Sequence, residues 1–194
     1  MRRVAVVMFI IFSGLMRSLA CAGDDAHDHD RRRHDDHRVL KLYDARGQVV
    51  GRLASYQGGP GVYLSIDGAI VFAAVYWLSL PYPGTRDSAR FQWSAFAPYS
   101  YSSTDCSGSP IIAPQTGPRP TVAIRKGPDV TLYIAGDTAS APKQILSVSF
   151  DGTSCVPPPG VDHMPPSTAP VPAFSAETTY SLTAHYPEPL TIGY

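Results

Sequence analysis

The chain is nearly without lysine and glutamate, with three and two residues among 194. Both are favoured on helix surfaces, so their scarcity excludes long solvent-facing helices. Charge is low altogether, at 16% of residues, and the 16 positive side chains cancel the 16 negative ones. A neutral total excludes the dense Lys/Arg field that a strong nucleic-acid binder needs. The apolar run at 4–15 is twelve residues long, short of the roughly 20 that anchor a helix across a bilayer. There is no phosphate-cradling or dinucleotide-binding glycine motif, no internal repeat and no heptad pattern. What the chain does have is proline and glycine, 19 and 16 residues, well above a background of roughly 12%. Its 44% of hydrophobic residues still suffices for a core, which excludes wholesale disorder.

Met1-Arg2-Arg3 followed by the apolar run reads as a secretory signal peptide over 1–22. Two processing routes remain open. Ala20-Cys21-Ala22 is an A-x-A cleavage site that would release a chain beginning at Gly23. Ser18-Leu19-Ala20-Cys21 is similar to a bacterial lipobox, with Ser18 where leucine is usual, and would place a lipid on Cys21. Either route removes Cys21 from the thiol pool and leaves Cys106 and Cys155 as an even pair in an oxidising compartment. A disulfide between them is the expectation. Neither has a second Cys or a His at zinc-ligand spacing.

The segment 23–38 holds six Asp, four Arg and four of the six His, with almost no apolar residue. Nothing there can offset the entropy of ordering, so it reads as a solvated tether. From residue 39 the hydrophobic period becomes two. Strands are expected at 39–43 and 48–53 around the turn Asp44-Ala45-Arg46-Gly47, and at 62–66 and 69–77 around Asp67-Gly68. Gly58-Gly59-Pro60-Gly61 reads as a break. Further strands are expected at 90–96, 121–125, 130–135 and 145–150. The fold class is therefore all-β: one small sandwich or barrel of about eight strands over 39–155. A Pro-rich extended segment (156–175) and a C-terminal strand or tail (176–194) follow, with Leu190 onward as an edge-strand end.

Candidates for chemistry are few. Asp105-Cys106-Ser107-Gly108-Ser109-Pro110 superficially resembles a serine-protease nucleophile loop, but Cys106 separates Asp105 from Ser107. His163 and His185 both follow the serine, against the order such a triad takes in that fold. Asp44, Asp67, Asp105 and Asp151 each precede a glycine by one to three residues, which assigns them to turns. A glycan-active hydrolase would need two of these carboxylates to converge. The tract with His27, His29, His34 and His37 offers imidazoles interleaved with carboxylates, suited to weak capture of Zn, Ni or Cu. Among the aromatics, Tyr82 and Tyr99 sit beside proline in expected loops, where they could stack on a sugar or peptide.

The hairpin Lys41-Leu42-Tyr43-Asp44-Ala45-Arg46-Gly47-Gln48-Val49-Val50-Gly51 resembles the start of a group of bacterial secreted and envelope proteins of unknown function, with Arg46 where asparagine is usual. Tyr101-Ser102-Ser103-Thr104-Asp105-Cys106-Ser107-Gly108 is similar to their aromatic-Ser/Thr-Asp-Cys-Ser-Gly segment. The resemblance spans roughly 39–155. It implies a surface β-domain with one disulfide and brings no activity with it. Taken together, the expectation is a non-enzymatic module that is secreted, periplasmic or on the cell surface and has no required cofactor. Its partner would be an envelope protein or a glycan, not nucleic acid, with membrane contact only through a lipid on Cys21. A metal-binding envelope protein and a hydrolase are the alternatives.

Overall fold

A computed structural model describes residues 39–114, 117–158 and 169–194, all within the unit His37–Tyr194. Short turns at positive φ organise its first half. Asp67 and Gly68, at φ 48° and 81°, form a two-residue turn whose hand matches the twist of the strands it joins, β3 (Gly59–Ile66) and β4 (Ala69–Ser79). Gln57 and Gly58, at φ 50° and 82°, do the same between β2 (Val49–Tyr56) and β3. At the first turn the Asp44 carboxylate accepts the Arg46 and Gln48 backbone N–H groups at 2.9 and 2.8 Å. That loop joins β1 (Lys41–Tyr43) to β2.

β1 to β5 (Arg86–Trp93) form an antiparallel meander, and the barrel is closed by a strand from the far end of the chain. Thirteen strands are present among the described residues, and the last, β13 (Leu190–Gly193), lies between β1 and β5. Leu42 pairs with Ile192 on one side, and Leu190 pairs with Phe91 on the other. The sequence places Leu190 onward at a sheet edge. In the structure both edges of β13 are paired, because the barrel needs a sixth stave and the residues up to β5 supply only five.

Inward-facing residues of the staves, among them Leu42, Val62, Val71, Val75, Trp93 and Leu190, form one buried core. A three-stranded sheet of β7 (Thr121–Lys126), β8 (Asp129–Ala135) and β12 (Ala176–Ser181) packs against it. The period of two sorts this sheet's faces. Val130, Leu132, Ile134 and Ala123 join the barrel core, whereas Val122, Ile124 and Tyr133 meet Tyr99 and Tyr101 in a second cluster. Tyr99 and Tyr101 belong to β6 (Tyr99–Tyr101), paired with β10 (Ser147–Ser149). A further ribbon joins β9 (Ala141–Lys143) to β11 (Val171–Ala173).

The all-β class stands, with more and shorter strands than periodicity shows. Three local expectations change. Gly59-Pro60-Gly61 is the start of β3, not a break. Gly61 has to be glycine, because a Cβ there would fall 2.4 Å from the Ala73 carbonyl and 2.5 Å from the Phe72 ring, which lies across it. β5 starts earlier and ends at Trp93, so Phe96 leaves the sheet for solvent. Residues 182–184, expected in a strand, turn into the short helix α1 (Leu182–His185), where the Ser181 hydroxyl accepts the Ala184 N–H.

Glu188, one of the two glutamates, finishes the end of β5. It accepts the Trp93 N–H at 2.5 Å and pairs with Arg125 of β7 through two bonds of 3.0 and 2.7 Å. The same guanidinium donates to the Trp93 carbonyl at 2.9 Å. One carboxylate thus ties the barrel to the packed sheet.

Candidate functional site

Cys106 and Cys155 are bonded, with Cα atoms 5.7 Å apart, inside the range of about 4.4–6.8 Å that a bridge spans. The bond joins the loop after β6 to the segment after β10, strands that already pair. It therefore reinforces that ribbon, while barrel closure is left to β1 and β13. A disulfide fits an oxidising compartment. In the loop that resembles a serine-protease segment, Cys106 is held in the bridge and Asp105 accepts the Ser107 N–H at 3.1 Å within its own turn.

Asp44 and Asp151 are likewise engaged within their own turns. Asp151 accepts the Thr153 and Ser154 N–H groups at 2.8 and 2.6 Å and the Ser154 hydroxyl, and these bonds hold it well below the usual carboxylate range. Burial works to raise Asp44, but the bonds from Gln48 and Arg46 outweigh it and its pKa is lowered. Asp87 is lowered by the Ala89 N–H and by Arg90. Burial, then neighbouring Tyr186, pushes the Tyr180 hydroxyl up to about 12, and its ring stacks on His185 with centroids 4.1 Å apart. That keeps Tyr180 protonated.

The expected aromatic pair divides. Tyr82 stands 75% exposed between β4 and β5. Tyr99 is 3% exposed, contrary to the loop position expected of it. It opens β6, and its hydroxyl is bonded on both sides, donating to the Ala95 carbonyl at 3.2 Å and accepting the Arg125 N–H at 3.3 Å. Cys21 and the tract with His27, His29, His34 and His37 lie outside the described residues. Among the described residues no group of three or more His, Cys, Asp or Glu is placed to hold a metal ion.

What the tertiary structure adds is a pair of apolar clefts on either side of the start of β7. Thr121 and Val122 line both. The first, about 330 Å³, lies between the outer barrel face at Tyr56, Phe72 and Ala74 and the packed sheet at Ala123 and Leu132. The second, about 340 Å³, is walled by Tyr99, Ile111, Ile145 and Ala173. The segment after β5 contributes Ser94 and Phe96 to the first and Pro98 and Tyr99 to the second. Among the described residues, no Asp, Glu, Lys, Arg, His or Cys side chain lines either one.

Two residues distinguish the first cleft. Phe96 is 70% exposed although apolar, and its ring meets Tyr76 edge-on at 5.6 Å. Ser94 is 9% exposed, and its Oγ is buried with no hydrogen-bond partner. Its backbone N–H is satisfied by the Ala74 carbonyl at 2.9 Å, so the orphan is the side chain alone. The strand expected at 90–96 contains both Phe96 and Ser94, but the sequence has no signal for the site of Ser94, whose surroundings are assembled from Tyr56 to Leu182.

No protein-family model matches the chain, and neither a curated protein nor a solved structure matches it.

Proposed function

We propose that the chain is a non-enzymatic interaction module of the extracytoplasmic space, secreted, periplasmic or on the cell surface, and that its partner is an envelope protein. One observation carries this reading: paired apolar clefts flank the start of β7, with the exposed Phe96 on the wall of one. Apolar concavities bordered by an exposed aromatic side chain suit the anchor residues of a protein partner. A glycan would need several carboxylates or amides to hold its hydroxyls, and among the described residues the clefts offer one amide, Gln57, and no carboxylate. The aspartates support the non-enzymatic reading, since Asp44, Asp105 and Asp151 accept bonds from their own turns and Asp87 accepts from its own strand, β5. The disulfide and the resemblance to secreted envelope proteins support the location.

A photo-crosslinking residue at position 96, introduced in cells that export the protein, tests the reading. The expected result is one discrete protein adduct that disappears when Ala74→Phe fills the cleft. Turnover of cell-wall glycans or peptides by the purified protein, lost on an Asp→Asn change in a turn, would overturn it.

A further inference from the structure

We infer that the first cleft is a binding site for a neutral, planar, largely apolar group carrying one hydroxyl, which hydrogen-bonds to Ser94 Oγ. The inference deepens the interaction reading by naming what the cleft takes, and it is testable without knowing the partner.

Three features of the cleft define the ligand. Its lining holds three aromatic residues, Tyr56, Phe72 and Phe96, beside the aliphatic Val122, Leu132 and Leu182. Gly117 lies at φ 89°, where a side chain would be strained, and a Cβ there would lie 3.2 Å from Phe72 Cβ. Three rings in one lining favour a planar, aromatic guest, since ring pairs gain beyond the area they bury. Among the described residues no charged side chain lines the cleft. An ion entering it would lose its hydration with no counter-charge to compensate, so the guest is neutral. Finally, the Ser94 hydroxyl has no partner, although Tyr56, Gln57 and Thr121 also bring polar side chains to the lining. A buried hydroxyl without a partner is unfavourable to folding, and few remain in native proteins without a functional reason. Ser94 Oγ is closed off as placed; a change of its χ1 rotamer toward the cleft would bring it to a ligand hydroxyl and satisfy both.

The test uses two probes of the same shape, 2-naphthol and 2-methylnaphthalene, titrated into the purified wild-type protein and the Ser94→Ala variant by calorimetry or fluorescence. The wild type is expected to prefer 2-naphthol by about three- to tenfold, the range of one net hydrogen bond. Ser94→Ala is expected to bind both probes equally and, without ligand, to melt at the same temperature or higher, because the change removes an unsatisfied group. Equal affinities in the wild type overturn the role of Ser94 and would mean that an internal water serves the hydroxyl. A preference that survives in Ser94→Ala, or a lower Tm for that variant, overturns it as well. Binding of neither probe removes the cleft as a small-ligand site. The adduct formed from position 96 is measured separately, so these results do not prejudge the protein-partner reading.

Discussion

The barrel and the β6–β10 ribbon are both closed by strands distant in sequence, but they are held in different ways. In the barrel, residues 41–43 meet 191–193 through a backbone ladder. The tie is extended by the Tyr43 hydroxyl, which donates to the Tyr194 carbonyl at 2.9 Å. Fourteen buried residues stand behind that closure. The ribbon pairs 99–101 with 147–149, three residues a side, over a cluster of three buried residues. A ribbon of that size is marginal in water, and this is where the covalent bond sits. Closing a loop with a sequence separation of 49 contributes about 4 kcal/mol in the chain-entropy picture. The comparison teaches that the staple is placed where hydrophobic burial is thin.

The largest effect should come from the barrel's closing strand. Deleting residues 190–194 leaves β1 and β5 with open edges and removes the fully buried Leu190. We expect loss of the cooperative thermal transition and association through the open edges, visible by circular dichroism and size-exclusion chromatography. Within the intact barrel, Trp93→Ala should destabilise by about 3–5 kcal/mol in urea unfolding, since the ring is fully buried.

Next in size is the staple. Cys106→Ser or Cys155→Ser should each destabilise by about 2–5 kcal/mol, and the double variant by no more, because both remove one bond. Hydrogen exchange sharpens the comparison. Amides of β6 and β10 should lose protection first, while those of β3 and β4 keep theirs. Equal loss in both regions would mean that the disulfide supports the barrel after all.

The smallest effect concerns acid. Asp44 is held below the ordinary unfolded carboxylate value of about 3.9. A carboxyl lowered in the folded state stabilises above the unfolded value, and that contribution is lost as pH falls through the folded value. Below about pH 4 the first barrel turn should therefore weaken, freeing Arg46, whose guanidinium also reaches the His185 carbonyl. Urea midpoints between pH 7 and pH 2 should fall less steeply for Asp44→Asn than for the wild type.

Local chemistry made part of this structure legible in advance. Asp67-Gly68 marked a hairpin because its turn requires positive φ at both positions. Asp44 and Gly47 marked a turn because a carboxylate can satisfy the N–H groups that follow it. With Cys21 expected to be removed or lipidated, one pairing remained for Cys106 and Cys155, and it is the bond observed. Gly61 misled for a physical reason: its missing side chain signals a break when read along the chain, and makes room for Phe72 when read across the sheet. Tyr99 misled in the same way, because the Arg125 N–H and the Ala95 carbonyl that satisfy its hydroxyl come from outside its own turn.

What acts over a few residues was thus legible along the chain: the β class, the hairpin turns and the local role of Asp44, Asp105 and Asp151. Only the tertiary structure decided that Leu190–Gly193 completes a barrel begun at Lys41, that Glu188 joins Trp93 to Arg125, and that Ser94 lines an apolar cleft without a partner. Each of these depends on which chain segments meet. A period of two fixes the face on which a side chain lies, but it does not specify the strand or cleft that the face will meet.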